Sequence, residues 1–334
     1  MKASVIGGGS WGSAFALHLG RSGITTRLWI REPEILEEIE RSRENTTFLP
    51  GYIFPETVTF FHDLEKTVQD SEIIFIAVPS KFCRGVYTEL APFLSSGQLI
   101  VSLTKGIEED TLLRMSEVMQ DIFSPRFNPK IAVLSGPSFA KEVAESHPTA
   151  VVVASEEINV ARSIQEAISS SLFRTYTSTD ITGVELSGAI KNVIAIAAGI
   201  SDGLLFGYNT RAALITRGIA EITRLGLKMG ARIETFSGLA GVGDLVLTCT
   251  GQLSRNHRVG EELGRGRSLD EIVSNMKMIA EGVTTTHSIK QLTERIDTEA
   301  PICDQVYRVL YEETDPRSAL QELMSRKLKD EFYI

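Results

Sequence analysis

The sequence predicts an α/β fold, with an N-terminal doubly wound domain (residues 1–180) followed by an all-α C-terminal domain (residues 181–334). Three observations carry this expectation. Short β-rich runs alternate with longer amphipathic stretches through the first half, the signature of strand–helix–strand units. Several runs, such as IIFIAV at 73–78, are apolar at every position, as a parallel strand covered on both faces requires. After about residue 178 no run reads as a strand, and helical periodicity takes over.

Taken in order, the expected strands are 3–6, 26–30, 58–60, 73–78, 99–103, 131–134 and 149–153. Amphipathic stretches at 34–43, 81–94, 109–123 and 157–170 fall between them. The segment NTTFLPGYIFPE at 45–56 carries two prolines and is expected to loop over a face. The second domain is expected to run as helices over 180–206, 210–229, 234–239, 255–264, 268–275, 284–293 and 303–312.

Composition excludes several function classes. The chain has 34 basic and 43 acidic residues, a net charge of −9, which opposes binding to nucleic acid or an anionic membrane. Any anionic ligand therefore needs a local cationic cluster. Cys83, Cys249 and Cys303 have no metal or C-x-x-C spacing, and none of the five histidines is paired, so no metal site is expected. Unpaired thiols point to a cytoplasmic protein. A strand starting at residue 2 leaves no space for a signal peptide, and the apolar run 193–200 is too short to span a bilayer. No integral membrane association is expected.

The first strand runs into VIGGGSWGSAF, which contains Gly7-x-Gly9-x-x-Gly12 and continues as a helix. In that context the glycines serve a tight turn, close approach of a pyrophosphate, and close helix–strand packing, and the helix N-terminus favours an anion. A Rossmann-like dinucleotide site follows. At the end of the second strand stands Arg31, with Glu32 next to it. A guanidinium can hold a 2′-phosphate bidentately, which favours NADP(H). Glu32 could instead accept from a ribose hydroxyl, so NAD(H) remains possible. Further strands end at Lys105 and at Gly136-Pro137-Ser138, on the edge where ligands of such sheets bind. A lysine after a strand is more often simply solvated.

The helix GVELSGAIKNVIAIAAGISDGL at 183–204 is apolar on most sides, yet carries Lys191-Asn192 at its centre. Small residues surround Lys191 on its face. They suit either a close helix–helix contact or the approach of a bulky ligand. A buried lysine is costly unless paired, and desolvation lowers its pKa toward the range useful for proton exchange. Downstream, Asp244 and Thr248 are four residues apart and would face one side of a helix. Ser254-Arg255-Asn256 opens a further helix. Ser254 could be a plain N-cap; with Arg255 and Arg258 beside it, the turn also suits an anion.

The motifs GGGSWGSAFA, IAVPS, LTKGIE, LSGPSFAKEV, ELSGAIKNVIAIAAGI, GLAGVGDLVLTCTG and SRNHRVG occur in this order along nearly the whole chain. Together they resemble the bacterial type of NAD(P)-dependent glycerol-3-phosphate dehydrogenase. The resemblance implies interconversion of dihydroxyacetone phosphate and sn-glycerol 3-phosphate, which supplies phospholipid synthesis, by an enzyme that is commonly a homodimer. It implies Lys191 as the catalytic proton donor and acceptor. Lys105, Gly136, Ser138, Asp244, Ser254, Arg255 and Asn256 match the family's substrate contacts. Ser10, Trp11, Arg31, Lys105, Ala140, Arg255, Ile279 and Glu281 match its cofactor contacts, with Asn192 and Thr248 in supporting positions. The family often has alanine where this chain has Gly8, a change of little expected consequence.

Overall fold

The computed structural model describes residues 1–276, 280–328 and 330–331. The chain forms two compact units, Met1–Lys105 with Leu113–Ile181, and Gly106–Leu112 with the chain from Thr182 onward. The excursion of residues 106–112 into the second unit is a feature that a single boundary near 180 does not provide for.

The first unit is an eight-stranded sheet: β1 (Lys2–Ile6), β2 (Thr25–Trp29), β3 (Val58–Phe61), β4 (Ile73–Ile76), β5 (Leu99–Ser102), β6 (Lys130–Ser135), β7 (Thr149–Ala154) and β8 (Phe173–Ser178). Its strand order is β8-β7-β6-β5-β4-β1-β2-β3. Neighbours are parallel except β6 and β7, which pair antiparallel. The principal helices are α1 (Ser10–Arg21), α2 (Pro33–Ser42), α3 (Ser80–Leu90), α4 (Met115–Phe123) and α5 (Ile158–Ile168). Alternate residues of β4 feed opposite cores: Ile73 and Phe75 lie in one, Ile74 and Ile76 in the other. β5 divides its residues likewise, with Val101 on one side and Ile100 on the other. Burial on both faces is why these strands read as continuous apolar runs.

Three expectations need correction here. Strand β8, FRTYTS, was not expected, because as an edge strand it alternates buried with exposed residues and carries few aliphatics. Segment 45–56 is no plain loop: Glu44–Asn45 and Leu49–Ile53 pair antiparallel. The helix expected over 109–123 begins only at Met115. Leu112 takes a left-handed φ of 60°, and the Glu117 carboxylate then accepts from the Arg114 backbone N–H at 2.8 Å, fixing the helix start.

From Thr182 onward the described residues of the second unit are mainly helical, the principal helices being α6 (Ile181–Gly203), α7 (Gly207–Lys228), α8 (Asp244–Thr250), α9 (Arg255–Gly264), α10 (Leu269–Ser274), α11 (Glu281–Arg295), α12 (Pro301–Tyr311) and α13 (Pro316–Met324). α11 starts three residues before the expected 284, and α13 lies beyond the last expected helix. α6 is hydrophobic nearly all round and forms the axis of the core, with Val193, Ile194 and Ile196 fully buried. By length and composition it could cross a membrane, but 94% of its apolar window is buried within the protein, as befits a core helix.

Glycines set how closely α6 meets α9. A Cβ on Gly199 would overlap the carbonyl of His257, and one on Gly260 would overlap that of Ile196. Gly203 and Gly264 meet the opposing backbone in the same way. Four glycines thus hold two helices in backbone contact. At Gly199 and Gly203, then, the small residues of α6 serve a helix crossing.

Candidate active site

In the sheet unit, β1 delivers the chain into the glycine loop and α1 leaves it. Gly7 has φ of 122°, and a Cβ there would lie 2.7 Å from the Ala77 carbonyl oxygen. A Cβ on Gly12 would overlap the Gly7 carbonyl oxygen. A Cβ on Gly9, by contrast, would meet nothing within 4 Å. The loop is therefore closed on its protein side and open above the α1 N-terminus, a cradle that fits the pyrophosphate of a dinucleotide. At Gly8 a Cβ would stand 3.0 Å from Ile30 Cγ1, so an alanine would require Ile30 to yield slightly.

The hairpin missed in the sequence supports this loop. Asn45 is fully buried, and its Nδ2 donates to the Gly8 carbonyl at 2.8 Å and to Ser13 Oγ at 2.9 Å. Ser10 Oγ donates to the Phe48 carbonyl at 2.6 Å. No local pattern around Asn45 signals this, because both contacts span more than thirty residues. The Trp11 indole packs 5.7 Å from the Phe15 ring, and its buried Nε1–H finds no acceptor among the described residues.

Arg31 is exposed beyond the end of β2, with its guanidinium 5.6 Å above the Phe82 ring. Phe82, at the start of α3, is itself 38% exposed and escaped the sequence reading. Glu32, also exposed, is the residue preceding α2. At the other strand ends, Lys105 Nζ and Ser138 Oγ donate to one acceptor, the Gly136 carbonyl, at 3.1 and 3.0 Å. Gly136 has φ of 137°, and a Cβ there would lie 3.0 Å from Val151 Cα, so only glycine turns the chain at this point. Ala140 opens the short helix Ala140–Ala144 that follows.

In the helical unit, Lys191 is 5% exposed near the middle of α6. Its Nζ donates to Asp244 Oδ1 and to Thr248 Oγ1, both at 2.7 Å, and Thr248 Oγ1 in turn donates to the Asp244 carbonyl at 2.6 Å. Asp244 is buried and begins α8. The turn before it, Leu239–Gly243, is kinked at Gly241, where a Cβ would overlap the Phe236 carbonyl. That kink aims the start of α8 at Lys191. The neighbouring Cys249 thiol is pushed up to about 12 by burial, against the pull of Lys191, and stays protonated.

Ser254 is the N-cap of α9, its Oγ accepting from the His257 N–H at 3.2 Å. Arg255 follows with its side chain exposed, while the protein crowding its guanidinium lowers its pKa and the Glu281 carboxylate opposes that shift. Asn256 is buried and accepts the Gly282 N–H through Oδ1 at 2.9 Å, tying α9 to the start of α11. A Cβ on Gly282 would lie 2.7 Å from both Asn256 Oδ1 and the Asn192 carbonyl. Asn192 turns its Nδ2 back to the Gly188 carbonyl at 3.4 Å. Lys191, Asp244 and Thr248 thus form one cluster, and Ser254, Arg255, Asn256 and Glu281 another. Ile279 lies outside the described residues, and among those described no group of His, Cys, Asp or Glu could hold a metal ion.

A dinucleotide-cradling sheet and a helical unit with a buried, carboxylate-paired lysine define a pyridine-nucleotide dehydrogenase of two-domain type. Two family models match: the N-terminus of NAD-dependent glycerol-3-phosphate dehydrogenase over residues 2–161, and its C-terminus over residues 180–321. The chain belongs to this family. It is 51% identical over 328 residues to the NAD(P)+ glycerol-3-phosphate dehydrogenase of Syntrophobacter fumaroxidans, covering 98% of this chain and 96% of that protein. With the enzyme of the same name from Geobacter sp. strain M21 it shares 53% identity over 330 residues, covering 99% and 98%. The solved glycerol-3-phosphate dehydrogenase of Coxiella burnetii superposes with a TM-score of 0.93 at 41% identity, covering 97% and 99% of the two chains.

Proposed function

We infer that this protein interconverts dihydroxyacetone phosphate and sn-glycerol 3-phosphate by hydride transfer with NAD(P)H, supplying glycerol 3-phosphate for phospholipid synthesis. The observation that carries the reading is the buried Lys191 ammonium, with Asp244 and Thr248 each at 2.7 Å. Burying a lysine costs heavily, and that cost is understandable where its proton is used.

When bound, the nicotinamide supplies the hydride for the C2 carbonyl. Lys191 donates a hydrogen bond to the C2 oxygen and delivers the proton that completes the hydroxyl; in the reverse direction it accepts that proton. Asp244 orients the ammonium and stabilises its charged form. Arg255, Ser254 and Asn256 are read as the phosphate grip, a guanidinium at a helix start. Fixing the remote phosphate positions the reacting carbon. Lys105, Gly136 and Ser138 are kept as substrate contacts of the sheet unit.

The cradle at Gly7, Gly9 and Gly12, with Ser10, Trp11, Ala140, Ile279 and Glu281, is assigned to the cofactor. NADP(H) is the favoured form, on the exposed Arg31 guanidinium held over Phe82. A homodimer in the cytoplasm is the proposed state; three buried cysteines, all reduced, accord with that compartment.

The test is Lys191→Ala. Turnover of dihydroxyacetone phosphate, followed by NADPH absorbance, is expected to fall by about 10²–10⁴-fold or more. NADPH binding, followed by fluorescence titration, is expected to persist. Near-normal turnover would remove Lys191 from catalysis.

A further inference from the structure

Eleven residues beyond Lys191, and therefore close to three turns along the same side of α6, stands Asp202. Its Oδ2 lies 2.8 Å from His257 Nε2 and accepts from Arg211 of α7 at 2.8 Å. An ionised carboxylate only accepts, so the imidazole proton sits on Nε2. The three side chains are 13–19% exposed, enough shelter to make the bonds directional. Arg211 also lies over the Tyr208 ring, 5.0 Å from its centroid, which fixes its own position.

His257 is the third residue of α9 and follows Ser254-Arg255-Asn256 directly. Its ring reaches across to α6, while its backbone N–H donates to Ser254 Oγ at 3.2 Å. Its carbonyl faces Gly199, where a Cβ would overlap it. One residue therefore ties the start of α9 both to its own cap and to the helix that carries Lys191. Asp202 is neutralised by Arg211, so the tether adds no uncompensated negative charge near a turn read as an anion grip.

We propose that His257, held by Asp202 and Arg211, is a positioning residue that fixes the Ser254–Arg255–Asn256 turn for the substrate's phosphate. This rests on the reading of that turn given above. A tether of this kind acts on substrate affinity more than on the chemical step, because Lys191 and Asp244 keep their own contacts. It leaves the nucleotide cradle of the sheet unit untouched.

Steady-state kinetics of the full chain test it. His257→Ala should raise KM for dihydroxyacetone phosphate by about tenfold, the loss expected of a charge-assisted hydrogen bond. kcat should change much less, and KM for NADPH should follow only as far as Arg255, which is matched to the cofactor as well, shifts with the turn. His257→Gln, which can still donate to Asp202, should recover most of the affinity. Asp202→Asn, which keeps the shape and the fold, should give a smaller rise of the same kind. Combined with His257→Ala, it should add nothing further. An unchanged KM in His257→Ala overturns the proposal, as does a parallel loss of kcat, both KM values and Tm. Arg255→Ala separates the two levels: if it leaves KM for dihydroxyacetone phosphate unchanged, the phosphate-grip reading itself fails. If Arg255→Ala raises that KM and His257→Ala does not, only the tether is overturned.

Discussion

Lys191 and Asp244 illustrate how single residues acquire a role from their surroundings. Each would be costly to bury alone, and removing one partner of such a pair typically costs about 3–5 kcal/mol, because the other is left uncompensated. Thr248 accepts a further hydrogen bond from the ammonium and donates its own to the Asp244 carbonyl. Arg31 sits at the opposite extreme, exposed and, among the described residues, held only by stacking on Phe82. If its guanidinium receives a 2′-phosphate, Arg31→Ala should lower kcat/KM with NADPH by about tenfold or more and leave NADH nearly unaffected. Parallel assays with the two nucleotides check this. An equal loss with both would assign Arg31 to the adenine alone.

Between elements, the decisive contact is the glycine crossing of α6 and α9. It brings the helix that carries Lys191 against the helix that presents Arg255, with no side chain between the backbones. Gly260→Ala would drive a methyl group into the Ile196 carbonyl, and neither backbone can yield without moving its helix. The expected cost is about 1–3 kcal/mol of stability, as for other overpacked cores. KM for dihydroxyacetone phosphate should rise as well, since the turn at 254–256 moves with α9. Urea unfolding together with steady-state kinetics reads both effects. Gly97, whose Cβ would meet nothing within 4 Å, supplies the neutral control.

For the molecule as a whole, stability carries a pH dependence from one buried carboxylate outside the proposed chemistry. Glu221 of α7 is 4% exposed and accepts the backbone N–H groups of Ile302 and Cys303, at 2.8 and 3.3 Å, at the start of α12. Those bonds and the nearby Arg224 favour the anion, but burial outweighs them and raises the pKa from 4.5 to about 7. The folded state therefore holds this proton more tightly than the unfolded chain does. Its contribution is fully present below pH 4.5 and is lost as pH rises through 7. Relative to Glu221→Gln, the wild type should lose about 2–3 kcal/mol of unfolding free energy between pH 5 and pH 8. Denaturant titrations of both proteins at the two pH values measure the difference.

The sequence by itself determined the strand–helix alternation, the glycine cradle and the helical second half, because each is written in local periodicity or in residues a few positions apart. It also put Asp244 and Thr248 on one side of a helix, and both contact Lys191. Only the tertiary structure decided which groups that lysine meets, since the partners lie more than fifty residues away. Likewise, Asn45 beneath the glycine loop, Phe82 beneath Arg31 and the Asp202–His257 tether depend on long-range packing. Strand β8 escaped notice because an edge strand needs few apolar residues, and β7 reversed direction without any local mark of it. Periodicity records which face of an element is buried; it does not record what that face is buried against.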